Sequence, residues 1–369
     1  MLAAQNKITP REYRSVIIWA SCLLLICLIG GYVGVKQLRG YAADTQQERQ
    51  AKIAALNIVA NSPPSGAHSQ TKSQPVDVMV ALSMNRLGEF DLKQARWTAD
   101  FTLSFRWRGD VVKSMADFRI VNGQTLRQEQ RESYLRGTQH YEEYHVVARM
   151  TSAFDAARFP FSDESLLIQM EDANRAAGTL RFVADVDNTQ VSAEAMPRTL
   201  QLSKFMTGVN NSSISFAQIK PAPDAATTQR YSRYYFAMLV TTASLQIYLK
   251  MFQALFASVA ITFIVFFVKP LHVNPRFGLP VGAFFAAVSN NVYVSTLLPP
   301  SDQLTLVDMV NTVGLLTIFL VTVQSAVSLY ILDTLGRPQL SRFFDRVFFV
   351  VFLLGYLSLN LALPLAARP

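Results

Sequence analysis

The sequence predicts an all-β sandwich outside a membrane, followed by an all-α four-helix transmembrane bundle, with one further transmembrane helix at the N-terminus. Three observations carry this expectation. Half of the 369 residues are hydrophobic and only 16% are charged, a balance suited to a membrane protein with a sizeable soluble part. Apolar spans fall at 15–36, 247–268, 277–298, 304–332 and 347–365. Each is long enough to cross a ~30 Å hydrocarbon core as a helix. Between the first and second spans the pattern turns to short period-two runs rich in β-branched and aromatic residues.

The first element is the span 15–36, preceded by a cytoplasmic N-terminus (1–14) that carries Lys7, Arg11 and Arg14. Its apolar run is longer than a cleaved signal's, and Lys36 and Arg39 follow it, which favours an uncleaved anchor. The small residues at Tyr41–Ala42–Ala43 leave the signal reading open. Residues 37–75 read as a linker that is part helical over 40–61 and a tether over NSPPSGAHSQTKSQP, 61–75. The only cysteines, Cys22 and Cys27, lie inside the first span, so the outer domain folds without disulfides.

From 76 to 243 the runs DVMVAL, WTADFTLSFRW, DFRIVNG, HYEEYHVVARM, ESLLIQME, GTLRFVADV, RTLQLSKF, SISFAQI and RYYFAMLV read as strands of a sandwich. No Gly-rich phosphate loop, G-x-S-x-G or H-E-x-x-H stands among them. His68, His140, His145 and His272 are scattered without ligand spacing. An enzyme, a metal site and a cofactor are therefore not expected. His140 and His145 are the candidates for a proton sensor, against the plainer reading of surface or core histidines.

The bundle occupies 244–369, and its flanking charges orient it. Lys269, His272 and Arg276 sit in one loop and Arg337, Arg342 and Arg346 in another, whereas the short loop Pro299–Gln303 holds Asp302 and no base. The positive-inside rule then puts the β domain and the C-terminus outside, and an outer domain without disulfides is compatible with a bacterial periplasm. The net charge of +8 reads as this orientation plus a basic outer domain, and no patch points to nucleic acid.

Within the bundle, RFGLPVGAFFAAVSNNVYVSTLLP (276–299) is unusual for a lipid-facing helix. Steps of four and three collect Gly278, Gly282, Phe285, Ser289, Val292 and Thr296 into a seam that is mostly small or polar. Such a seam faces a neighbouring helix or a water-filled pore, and periodicity alone leaves both readings open.

Several stretches resemble the pentameric ligand-gated ion channels, specifically their cysteine-less prokaryotic members. WTADFTLSFRW is similar to an early family strand, and DFRIVNG to the strand ending in an Asn-bearing binding loop. ARFPFSDESLLIQM (157–170) resembles the signature loop, with Phe159–Pro160–Phe161 as its aromatic-Pro-aromatic core. FFVKP closes the first bundle helix, NPRFGLPVG opens the pore-lining helix, and STLLPPSDQLTLVD matches its outer end. The resemblance implies a homopentamer in the lipid membrane that passes small ions and is gated by an unknown small-molecule ligand or by protons.

It also implies roles for particular residues. Arg276, Gly278, Gly282, Phe285, Ser289, Val292 and Thr296 would line the pore, with Phe285 as an apolar gate. Arg276, in a mouth without Glu, would favour anions if it faces the lumen; otherwise it is a positive-inside anchor. Phe159, Pro160, Phe161, Pro299 and Pro300 would couple the β domain to the pore, together with a turn at Asn85–Glu89. Phe118, Asn122, Asp185, Phe216, Tyr231 and Tyr235 would bind the ligand, against the alternative that such aromatics are sandwich core.

Departures are plain as well. Residues 1–75 are extra to the family plan, a Trp-x-Pro is missing before the Asn-bearing loop, and Ser162 precedes Asp163 where an acid is expected. The arginine expected before the first bundle helix falls near Thr241–Thr242. The competing expectation is a non-conducting pentameric receptor that signals through the extra N-terminal helix. A transporter is disfavoured by the lack of inverted repeats.

Overall fold

A computed structural model of the chain describes residues 8–61, 75–152, 154–197, 200–212, 231–241, 245–299 and 301–368. It divides into two compact units. One holds the chain to Asp44, the loop Asp155–Ser162 and everything from Ala243; the other holds Thr45–Phe154 and Asp163–Thr242.

The β unit contains β1 (Val76–Asp91), β2 (Arg96–Arg108), β3 (Phe118–Ile120), β4 (Gly123–Arg136), β5 (Gln139–Thr151), β6 (Asp163–Asp172), β7 (Leu180–Ala184), β8 (Gln190–Val191), β9 (Gln201–Ser212) and β10 (Tyr231–Thr241). One sheet runs β4-β5-β2-β1-β7 with β8 also on β1, and the other runs β3-β6-β10-β9. A single core contains side chains of both sheets.

β2 illustrates why these residues form strands. Trp97, Ala99, Phe101, Leu103, Phe105 and Trp107 are buried while the residues between them are half-exposed, so one face meets the core. β4 lacks this alternation. Its QTLRQEQRESYLR is mostly exposed, and only pairing with β5 along most of its length makes it a strand. As the last strand of its sheet it carries the charged side chains that keep an edge from pairing with another chain.

The expected turn at Asn85–Glu89 is instead part of β1. Register shifts between Met84 and Arg86 and between Leu87 and Phe90 bend the strand without ending it, and the reversal falls after Asp91. SISFAQI lies outside the described residues.

The helical unit begins with α1, Pro10–Asn61, a single helix where the sequence suggested a span and a linker. Residues 37–61 contain one glycine and no proline among Ala, Gln, Glu, Lys and Leu, so nothing stops the helix. α2 (Leu245–Phe263) continues as a 3-10 turn, Ile264–Phe267, and α3 (Val273–Ser295), α4 (Leu306–Asp333) and α5 (Pro338–Ala367) follow. All five helices are long and apolar enough to cross a membrane.

Local chemistry fixes the helix starts. Thr305 and Asp308 form a reciprocal capping box at α4, with the Asp308 carboxylate accepting from Thr305 N (3.0 Å) and Thr305 Oγ1 accepting from Asp308 N (3.1 Å). Pro338 opens α5, where its missing N–H costs nothing. Gly314 of α4 lets Leu255 of α2 approach, since a Cβ there would stand 2.6 Å from Leu255 Cδ1.

α1 lies against the outside of this bundle. Gly31 and Gly34 face Leu359 and Leu363 of α5, Tyr13 stacks on Phe343 at 5.1 Å, and Arg337 donates to Glu12 at 2.6 Å. The small residues allow close approach where Cβ atoms would meet leucine side chains.

Candidate functional site

The two sides of α3 differ. Pro280, Ala283, Ala287, Asn290 and Val294 are buried against the bundle. Gly278, Gly282, Phe285, Ser289, Val292 and Thr296 are all exposed in the single chain. The seam read from the sequence is therefore part of the face that the protomer's own helices leave uncovered, a face that also includes Val281, Phe284, Ala286 and Tyr293. Phe285 and Val292 stand out from it at 68% and 60% exposure. Ser289 Oγ donates to Phe285 O and Thr296 Oγ1 to Tyr293 O, so both hydroxyls are satisfied by the turn behind them and keep acceptor capacity outward.

Arg276 does not belong to that face. It is fully buried, donating from Nη2 to Asp345 Oδ1 of α5 at 2.8 Å and from Nη1 to Val268 O at 3.1 Å. Gln324 Nε2 of α4 donates to the same Asp345 oxygen at 2.7 Å. This corrects both expectations for Arg276, as a lumen charge and as a headgroup anchor. A buried guanidinium beside a carboxylate is held by the pair, because leaving either charge alone in an apolar bundle is costly. Asp345 is 69 residues away, and no local motif joins the two.

The Phe-Pro-Phe loop is the part of the sandwich sequence that packs with the helical unit. Leu306 N, at the start of α4, donates to Ala157 O at 2.8 Å. Phe161 is 1% exposed, its ring 5.8 Å from that of Tyr248 on α2, and Arg368 Cζ stands 5.5 Å over the same ring. Phe159–Pro160 is a cis bond. Pro299 is half-exposed after α3, and Pro300 lies outside the described residues. Arg158, next to the motif, was not singled out by sequence. It is 1% exposed, donates from Nε to Asp155 at 3.2 Å, and leaves Nη1 and Nη2 without a hydrogen-bond partner among the described residues.

The expected ligand residues occupy separate places. Phe118 is 4% exposed inside the sandwich core, against Phe105 and Tyr144 at 5.4 and 5.2 Å, which is the core reading of that aromatic. Asn122 clips β6, its Nδ2 donating to Leu167 O and its Oδ1 accepting from Gln169 N. Asp185 is buried and held by Arg106 and Asn188. Tyr231 and Tyr235, each 3% exposed, alternate with the core-facing Tyr234 and Phe236, so both lie on the outer side of their sheet. Gly208 gives Tyr235 its room, for a Cβ there would meet the tyrosine oxygen at 2.3 Å. Phe216 lies outside the described residues.

Between those tyrosines is a feature that sequence reasoning missed. Arg119 and Arg233, on strands either side of β6, both donate to the fully buried Glu171 carboxylate, Arg233 at 2.9 Å. Sheet register alone brings the three together, from 52 and 62 residues apart.

His140 and His145 are engaged as well. His145 Nε2 is 2.8 Å from Asp100 Oδ1 and His140 stacks on Trp107 at 5.0 Å. Among the described residues no cluster of His, Cys, Asp and Glu is arranged to hold a metal. No protein-family model matches the chain, and no curated protein matches it in sequence.

Proposed function

We propose that this chain is one subunit of a homopentameric ligand-gated ion channel of a bacterial inner membrane. In this reading the N-terminus is cytoplasmic and the β domain periplasmic, an orientation supported by the basic loops. The observation that carries the proposal is the uncovered seam of α3. Gly278, Gly282, Phe285, Ser289, Val292 and Thr296 form one exposed stripe on a helix whose opposite side is buried in its own bundle. Around a five-fold axis such stripes enclose a path with hydroxyls toward one end and an apolar Phe285 ring near the middle, which gates by dewetting.

Arg276 is tied to Asp345, so an anion preference has no free charge to rest on and is not part of the proposal. The β domain is the receiving end. Of the expected ligand residues, Tyr231 and Tyr235 lie on the outer side of their sheet, whereas Phe118 is core.

The test needs no ligand. Phe285→Ser replaces the apolar ring with hydroxyls, and the expected outcome is constitutive current in planar bilayers from a variant whose native mass remains that of a pentamer. A silent pentameric variant would overturn the channel reading in favour of a non-conducting receptor.

A further inference from the structure

α3 carries a single charged residue, Arg276, and two other helices help to hide it. Its side chain is 0% exposed, and the Asp345 carboxylate of α5 that balances it is buried as well. Gln324 of α4 donates to the same Asp345 oxygen at 2.7 Å, which holds the carboxylate in place. The two formal charges cancel on the bundle side of the first turns of α3. On the other side there is no charge to cancel, since every exposed residue from Val273 to Leu297 is neutral. Lys269, Arg342 and Arg346 border the same recess as Asp345, but they are exposed, where salt screens them over about 8–10 Å.

Arg276 cannot fall silent by losing its proton, because a guanidinium keeps its charge at any physiological pH. Neutrality at this level of α3 therefore depends on Asp345. The pair lies about one helix diameter, ~10 Å, behind the uncovered face. An unbalanced charge at that distance in an apolar bundle acts on the face far more strongly than the same charge in water. A ring of subunits would multiply the effect.

Taking α3 as pore-lining, as proposed above, we infer that Asp345 sets the ion selectivity from outside the pore. By cancelling Arg276 it leaves the path along α3 without a preferred sign, so that small monovalent cations and anions pass alike. Asp345 acts through Arg276 and is a positioning residue; it does not touch the permeating ion. Ions are then sorted by size and by the cost of shedding water at the Phe285 ring.

The full chain carrying Phe285→Ser, the variant expected to conduct without ligand, is placed in planar bilayers under a tenfold KCl gradient. A pore open to one sign alone reverses about 59 mV from zero. The background variant is expected to reverse near zero. Adding Asp345→Asn, nearly the same shape, unbalances Arg276 and moves the reversal toward the chloride potential by about half that span or more. Asp345→Glu keeps the carboxylate and reverses near zero. Arg276→Met with Asp345→Leu removes both charges and also reverses near zero, which a mere disturbance of packing at Asp345 would not produce. Gly278 meets nothing within 4 Å, so Gly278→Lys sets an unbalanced cation on the face itself and gives the same shift if Asp345→Asn does not assemble. A conducting background that strongly prefers either ion, or a reversal near zero in Asp345→Asn or Gly278→Lys, overturns the inference and leaves the channel reading standing. A silent pentameric background overturns the channel reading, and this inference falls with it.

Discussion

Arg276 and Asp345 place a full ion pair inside the helical unit, with side chains 0% and 8% exposed and 2.8 Å apart. Removing one partner of such a pair leaves an uncompensated charge and costs about 3–5 kcal/mol, while replacing both with apolar side chains is often neutral. Arg276→Met is therefore expected to destabilise the protein by about that amount, and Arg276→Met with Asp345→Leu to recover most of it. Thermal unfolding in detergent reads both, and a stable single variant would show that the pair carries no such weight. A second residue-scale outcome follows from Tyr144, whose hydroxyl is pushed up from its ordinary 10 to about 12, first by burial and then by its bond to the Glu142 carboxylate. Below pH 10 both folded and unfolded chains keep this proton, so its contribution is fully present. Between 10 and about 12 the unfolded chain loses the proton first, and stability falls as pH rises. Burial pushes Tyr234 the same way, up to about 12. Trp97 and Trp107 fluorescence should report a falling Tm over that window, less steeply in Tyr144→Phe.

Helices in this protein meet through glycine. At Gly314 an added Cβ would lie 2.6 to 3.0 Å from three atoms of Leu255, which is itself fully buried. Gly314→Ala gains helix propensity yet forces the α2–α4 contact apart, for an expected net loss of about 1–3 kcal/mol. Leu255→Ala removes the clash, so the double variant should cost less than the sum of the two single ones. Additive costs in detergent unfolding would mean the two residues do not determine the approach. The seam of α3 makes a contrasting case, for Gly278 and Gly282 meet nothing within 4 Å and a side chain there has open space in the single chain.

For the whole molecule, the Phe-Pro-Phe loop is the segment through which sandwich sequence enters the helical unit. Phe161 is packed by Tyr248 of α2 and covered by Arg368 at the end of α5, and Ala157 receives the first backbone N–H of α4. Three helices thus register the position of one loop. If the chain is a ligand-gated channel, Phe161→Ala should preserve pentamers and weaken activation, measured as a right-shifted or smaller response on a constitutively quiet background. Unchanged activation in a conducting variant would remove the loop from the coupling path.

The sequence by itself determined what depends on composition and local period. Five apolar spans and the alternation of β2 were legible, because burial preference repeats every two residues in a strand and every 3.6 in a helix. β4 was not legible, since its residues are polar on both sides and β5 alone makes it a strand. The helical part of the linker over 40–61 was expected from its helix formers, but not its unbroken continuity with the first span in a single helix to Asn61. Tertiary structure alone decided which charges are free. Arg276 looked like a mouth residue until Asp345 arrived from α5, and Glu171 had no visible role until β3 and β10 brought Arg119 and Arg233 to it. Electrostatic partners are chosen by distance in space, and a chain folded on itself sets that distance without leaving a mark in the neighbouring letters.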